Sequence, residues 1–244
     1  MKSPVPPRDR HCCCCAQNSR SALRVSAFTL VELLVVVSIL IVLAGLAFPT
    51  IRGALDRAKK VQAKNDLVQI GTAVNAFHTE YGVFPIDPGI PSGGHDVEYG
   101  NPDSPSHTNS EVMNALRAIN DPSGPNKGHA LNPRRVVFFN GPPVKDATKP
   151  RAGFDSKGEF WDPWGSPDNA SSPVGHYIIN IDANYDGSTQ AYTLDYTDLV
   201  YDTSSGKGDG VKGSFIGASL GRDGDYGDAG DKKFKGSDDV LSWQ

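Results

Sequence analysis

The chain has no cysteine outside a single run. All four cysteines are consecutive, Cys12 to Cys15. Residues from 28 onward can therefore form no disulfide, and their stability must come from packing or a metal. Adjacent cysteines cannot easily wrap one tetrahedral ion, so the run is not a metal-ligand spacing. Lipid attachment is one reading of it; an incidental part of a removed leader is the simpler one. A sustained basic stripe is also lacking. The formal net charge is −4, and sequence-independent nucleic-acid binding finds no support. Catalytic signatures are missing: there is no Gly-x-Ser-x-Gly elbow, no Walker loop and no downstream cysteine nucleophile. His95, His107, His129 and His176 have no metal-ligand spacing. The reading is of a protein that is not an enzyme. Aromatic residues make up only 9% of the chain, so a large core is excluded, while 26 glycines and 18 prolines predict much loop beyond the first third.

Long apolar runs are lacking everywhere but at one place. Residues 27–51 read AFTLVELLVVVSILIVLAGLAFPTI, and between Phe28 and Phe48 the only ionisable residue is Glu32. As a helix, about 20 such residues cross the hydrocarbon core of a bilayer. Before it stand Lys2, Arg8, Arg10, Arg20 and Arg24 against only Asp9. The positive-inside rule therefore places residues 1–26 in the cytoplasm and the body across the membrane. A secretory signal is one reading, with Gly45-Leu46-Ala47 as the cleavage site, but the apolar region is too long and contains an acid. A plain anchor is a second, and it leaves Glu32 unexplained, because a carboxylate in a membrane span is costly and usually functional. A third reading explains the acid. A cut between Ala27 and Phe28 creates an α-amine four residues before Glu32. That positive charge could neutralise the carboxylate of a neighbouring subunit, and a paired carboxylate fixes register.

Phe28-Thr29-Leu30-Val31-Glu32, after basic residues and opening a span, resembles the type III signal of type IV pilins and type II secretion pseudopilins. The resemblance implies cleavage by a prepilin peptidase between Ala27 and Phe28, N-methylation of Phe28 and a filament-register role for Glu32. Pro49 falls where the family often has a helix-kinking proline. Ala27 departs from the glycine that normally precedes the cut; it is small, so cleavage is expected to proceed, more slowly.

Beyond Pro49, Ile51, Ala54, Leu55, Ala58 and Val61 recur at helical spacing, as do Leu67, Ile70, Val74, Phe77 and Tyr81. One helix over about 28–81 is predicted, apolar all round in its first half and amphipathic in its second. Its apolar stripe is expected to bury against the domain's own sheet, and Gly82 and Pro85 end it. FHTEYGVFP (77–85) also resembles the helix exit of pseudopilins. Residues 86–133 read as a long loop with one short helix at about 109–120, packing through Val112, Leu116 and Ile119. Strands are expected at 136–139, 177–181, 191–194 and 214–220. Trp161 and Trp164, around the Asp162-Pro163-Trp164-Gly165 turn, read as packing residues rather than a sugar platform.

The C-terminal stretch SLGRDGDYGDAGDKKFKGSDDVLSWQ sets many aspartates among glycines. Oxygen-rich, glycine-rich loops suit Ca²⁺, which takes 6–8 oxygen ligands in flexible geometry, and a body without disulfides would gain from such a clip. The stretch resembles the calcium loop of the type II secretion major pseudopilin. The resemblance implies Asp223, Asp238 and Asp239 as side-chain ligands, the carbonyls of Leu220 and Asp225 as weaker candidates, and Trp243 packed beneath the loop. The long interval between Asp223 and Asp238 departs from the pattern. A second patch, Asp182-Ala183-Asn184-Tyr185-Asp186-Gly187, matches the opening of an EF-hand loop, but Thr193 stands where a bidentate Glu is needed. It reads as a strand-joining turn capped by its own Asx side chains.

The expected fold is α+β and pilin-like: a long N-terminal helix, transmembrane in its first half, on a small antiparallel sheet with long loops. The expected organisation is a removed leader (1–27), a transmembrane assembly helix (28–48), an amphipathic continuation (49–82) and a β-rich periplasmic head (83–244). The resemblance implies a structural subunit of a type II secretion pseudopilus in the inner membrane. Its partners would be itself, sibling pseudopilins, the prepilin peptidase and the inner-membrane secretion platform. A type IV pilus subunit, or an anchored or secreted calcium-binding adhesive module, is the alternative.

Overall fold

A computed structural model describes residues 28–90, 95–103, 106–167, 174–201, 210–228 and 231–244, with 47–52 described in backbone only. Cys12–Cys15 and Ala27 lie outside the described residues. The chain divides into two compact units, one ending at Pro49 and one beginning at Thr50.

One helix, α1, covers Leu30–Tyr81, 52 residues in all, where periodicity predicts it. The helical backbone is continuous through Pro49, although proline has no N–H to donate to the preceding turn. In the first unit the apolar side chains stand exposed, from Leu30 at 78% to Leu46 at 70%. Among the described residues no helix is long and apolar enough to cross a membrane. The span read from the sequence includes Ala47 and Phe48, whose side chains are not among those described.

In the second unit the later turns of α1 build the core. Ala63, Leu67, Ile70, Val74 and Phe77 are buried at spacings of three and four, one face of a 3.6-residue helix. They pack on a four-stranded antiparallel sheet of order β1-β4-β7-β8, formed by β1 (Val97–Tyr99), β4 (Ile178–Ile181), β7 (Phe215–Ser219) and β8 (Val240–Leu241). Contact between helix and sheet is close. A Cβ on Gly71 would lie 2.8 Å from the Phe215 ring, and one on Gly217 would lie 2.9 Å from the Leu67 side chain. Successive strand residues point to opposite faces. Ile179 and Ile181 join the α1 core, while Ile178, Ile216 and Ala218 join a second cluster with Leu194, Tyr196 and Leu241. Because both faces are covered, all four residues of β4 are buried. Two-stranded sheets pair β2 (Gly153–Phe154) with β3 (Phe160–Trp161), and β5 (Ser188–Gln190) with β6 (Gly210–Lys212). The short helix α2 covers Asn109–Leu116 and buries Val112 and Leu116; Ile119 lies beyond it and is 41% exposed.

Three expectations are corrected. Residues 136–139 form no strand: Phe138 and Phe139 both donate their N–H to the Leu116 carbonyl, so the segment pairs with a helix end rather than a sheet edge. Residues 191–194 form none either, because the strand of that region is β5, just before them. The early part of the amphipathic stripe is not buried. Leu55 is 59% and Val61 70% exposed, Ala54 and Ala58 are exposed too, and burial begins at Ala63. Trp161 and Trp164 are buried as packing residues.

Two lysines of α1 hold the end of the described chain. Lys64 Nζ donates to the carbonyls of Leu241 (2.7 Å), Ser242 (2.9 Å) and Gln244 (2.6 Å), and Lys60 Nζ to that of Ser237 (3.0 Å). Burial lowers the pKa of the Lys64 ammonium. Hydrogen bonds to a charged group contribute about 1.5–3 kcal/mol. Lys64→Met is expected to lower the thermal midpoint by several degrees and to speed hydrogen exchange at Val240 and Leu241. Unchanged exchange there would show that strand pairing alone holds the segment.

Candidate assembly helix and acidic loop

The first turn of α1 is closed by a reciprocal pair. Thr29 N–H donates to Glu32 Oε2 at 2.9 Å, its hydroxyl donates to the same oxygen at 2.8 Å, and Glu32 N–H donates to Thr29 Oγ1 at 3.2 Å. This is a capping box: a threonine at the cap and a glutamate three residues on satisfy each other's backbone donors. The carboxylate also faces the positive end of the helix dipole. Glu32 therefore has a local reason to stand where it does, besides any pairing with a neighbour's amine. The sequence carries the Thr-x-x-Glu signature of that box, which the reading of Glu32 as a register acid passes over. Phe28 is 80% exposed.

The acidic loop is arranged around Asp239 and Asp238. Asp239 is 4% exposed. Its Oδ2 accepts from the Tyr196 hydroxyl and from Gly227 N–H, both at 2.8 Å. Its Oδ1 is buried with no hydrogen-bond partner. Burial pushes the carboxyl up to about 6. Asp238 Oδ2 accepts from Arg222 N–H at 2.6 Å. The close approach needs Gly221, which has φ +66° and whose missing Cβ would lie 2.5 Å from Asp238 Cγ. Asp223 is exposed and its Oδ1 accepts from Asp225 N–H at 3.1 Å. The Leu220 carbonyl accepts from Gly224 N–H at 3.2 Å. Trp243 is half-buried against the second core cluster.

Of the implied ligands, Asp238 and Asp239 lie side by side at the end of the loop, while Asp223 turns toward Asp225. Among the described residues no three His, Cys, Asp or Glu side chains converge to hold a metal. The donor chemistry nonetheless fits calcium. The candidate atoms are all oxygens, and a buried carboxylate oxygen without a partner is what a cation would satisfy.

Residues 182–187 form the strand-joining turn that their composition suggests. Asp182 Oδ1 and Asn184 Oδ1 accept from Asp186 N–H, Asp182 Oδ2 accepts from Gly187 N–H, and Asp186 Oδ1 accepts from Ser188 N–H. The side chains cap the backbone between β4 and β5.

One buried carboxylate gives no advance sign beyond its turn. Asp162 is fully buried. Its Oδ1 accepts from the N–H groups of Trp164 (2.9 Å) and Gly165 (2.7 Å), and its Oδ2 from the Ser219 hydroxyl (2.6 Å). It ties the Trp-Gly turn to β7. Burial pushes it up to about 7, against the opposing pull of those hydrogen bonds.

No family model matches the chain, and no solved structure does. Among curated proteins it is similar to the type II secretion system core protein G of Pectobacterium carotovorum subsp. carotovorum, with 36% identity over 73 residues. The match covers 29% of this chain and 47% of the relative, so the chain spans about half the length of the curated relative it matches. Over those 73 residues the chain resembles this secretion protein, and its long N-terminal helix followed by small antiparallel sheets is the α+β, pilin-like fold expected from the sequence.

Proposed function

We propose that the chain is a structural subunit of a type II secretion pseudopilus in the inner membrane. The observation that carries the proposal is the uncovered apolar surface of α1. From Leu30 to Leu46 the side chains are largely exposed. Beyond the span, Leu55, Val61 and Val68 stay 59%, 70% and 52% exposed on a helix whose other face fills a core. A helix apolar all round is one that other helices or lipid must cover. A prepilin peptidase cuts between Ala27 and Phe28, and the new amino terminus is methylated. Residues 28–48 span the membrane and then pack with copies of the chain or sibling pseudopilins on the secretion platform. The head from 83 onward lies in the periplasm.

Val61→Asp tests the packing. The side chain is exposed in the single chain, so the thermal midpoint should shift by no more than about a degree, as for most surface changes. Filaments sedimented from cells that express the secretion platform should fall to background. Normal filaments with Asp at 61 would place the assembly face elsewhere.

Calcium is the proposed structural ion of the acidic loop, held by Asp238 and Asp239 with Asp223 and the carbonyls of Leu220 and Asp225 as further oxygens. Bound there, it would supply the positive charge that the buried Asp239 lacks and clip the loop to β8. A ligand at 100 times its Kd stabilises by about 2.7 kcal/mol. Calcium is therefore expected to raise the thermal midpoint by roughly 5–10 °C, a chelator to reverse this, and Asp239→Asn to abolish it. A midpoint indifferent to calcium would remove the metal from the account.

A further inference from the structure

Two surfaces of the unit that begins at Thr50 are apolar, exposed and opposite in charge. The first is a groove of about 700 Å³ between α1 and the chain from Phe234 to Leu241. Val61, Val68, Phe234 and Leu241 give it an apolar lining. Val61 and Val68 lie seven residues apart, on one side of the helix, and are 70% and 52% exposed. The charged residues of the lining are Lys60, Lys64 and Lys235 against one aspartate, Asp239. The wall is held in place, because Lys60 donates to the Ser237 carbonyl and Lys64 to that of Leu241.

The second surface is an aromatic ring held out at the other end of the helix. Tyr185 stacks on Phe84 with 5.2 Å between centroids, and Phe84 stacks on His78 of α1 at 4.4 Å. The Tyr185 hydroxyl accepts from the Phe84 N–H at 3.3 Å. The ring is thus fixed, yet Tyr185 is 54% exposed, and Val83, next to Phe84, is 50% exposed. Its backbone is in the left-handed region, with φ +59°. For a residue other than glycine that costs about 1–3 kcal/mol, and such strain clusters at functional positions. The turn that carries the ring is acidic. Burial raises the pKa of Asp96 behind it, and the charges of Asp182 and Asp186 raise it further.

We propose that the Tyr185 ring of one copy of the chain enters the Val61–Val68 groove of the next. The proposal rests on the pseudopilus reading and names the contact between its subunits. The two surfaces do not meet within one chain: α1 runs about 30 Å from Val61 to Tyr81, at 1.5 Å per residue. A contact between two different patches, repeated from copy to copy, builds an open filament instead of a closed dimer. Aromatic rings seated in apolar pockets are the usual anchors of such contacts. The acidic turn then faces the lysines of the groove, which fixes orientation more than affinity. A neighbouring α1 alone would cover Val61 and Val68 but leave Tyr185 and its turn exposed.

The test uses the full chain, expressed in cells with the secretion platform. Val83→Cys and Lys235→Cys place one thiol beside the ring and one at the groove; both side chains are exposed. Membranes are treated with a short bis-maleimide. The double variant should give a ladder of cross-linked multimers, since each copy offers both ends. Each single variant should give none, which also controls for Cys12–Cys15. A double variant without a ladder overturns the contact. Sedimented filaments give the second readout. Tyr185→Phe keeps the ring and should assemble as the unaltered chain does. Tyr185→Ser should lower filaments at least about tenfold, the equivalent of ~1.4 kcal/mol. Equal filaments from the two variants would overturn the contact while leaving the pseudopilus reading in place. An unaltered chain that forms no filaments would overturn both. If Tyr185→Ser lowers the thermal midpoint of the body, the ladder alone decides.

Discussion

Replacing Glu32 with leucine abolishes filament formation while leaving the body folded, and replacing it with glutamine does the same. The two substitutions separate the capping of α1 that the structure shows for this side chain from the proposed pairing with a neighbour's amine. Glutamine at the third helical position can still accept from Thr29 N–H, so the capping box survives. Leucine removes both box and charge. If the carboxylate pairs with the amine of a neighbouring subunit, its charge is what assembly needs, and glutamine fails as leucine does. Sedimented filaments should fall to background for both variants, with membrane levels and the thermal midpoint of the body unchanged. Filaments from the glutamine variant at the normal level would mean that Glu32 serves only to start α1. Those two hydrogen bonds to Thr29 would then be its whole function.

Asp162→Asn raises stability at neutral pH and flattens its dependence on pH. In the folded chain burial holds this carboxyl at about 7, against about 3.9 for an ordinary aspartate. Between those values the folded state keeps a proton that the unfolded chain has released. Stability therefore falls as pH rises across the window, because unfolding releases that proton. The group's contribution is complete below about pH 4 and lost above about pH 7. The shift corresponds to ~4 kcal/mol at 1.36 kcal/mol per unit. Asparagine keeps an oxygen for Trp164 and Gly165 but must donate to the Ser219 hydroxyl, which then needs another acceptor. That costs about 1 kcal/mol. A net gain of about 3 kcal/mol at pH 8, shrinking to nothing or a slight loss near pH 4, is the expected result in denaturant titrations. A variant less stable than the parent at pH 8 would show that the ionised carboxylate earns its burial through the turn. Asp239, also raised by burial, adds a slope of the same sign up to about pH 6. Calcium on the loop should remove that part and leave the Asp162 part.

The long helix was legible because its apolar residues repeat over many turns. What periodicity could not reveal was where the stripe is covered. Leu55 and Val61 follow the same spacing as Leu67 and Val74, yet the first pair is exposed and the second fills the core. An apolar face bound for a neighbour and one bound for the chain's own sheet look alike in one sequence. β4 and β7 were legible as runs of apolar and β-favouring residues. β2, β3 and β8 have two residues each, too few to display an alternation, and are fixed by pairings distant in the chain. The 136–139 run has the composition of a strand, but Leu116 takes its two N–H groups. Of the acidic loop, composition gives the carboxylates and glycines. It does not give the burial of Asp239 against Tyr196, 43 residues away.

The central claim is that Phe28 is the first residue of the working protein. Intact mass and N-terminal sequencing of the chain purified from membranes test it most directly. The account predicts a mature chain that begins with N-methylated Phe28 and lacks Cys12–Cys15 with the rest of residues 1–27. A chain that begins at Phe48, or that still carries Met1, would contradict it.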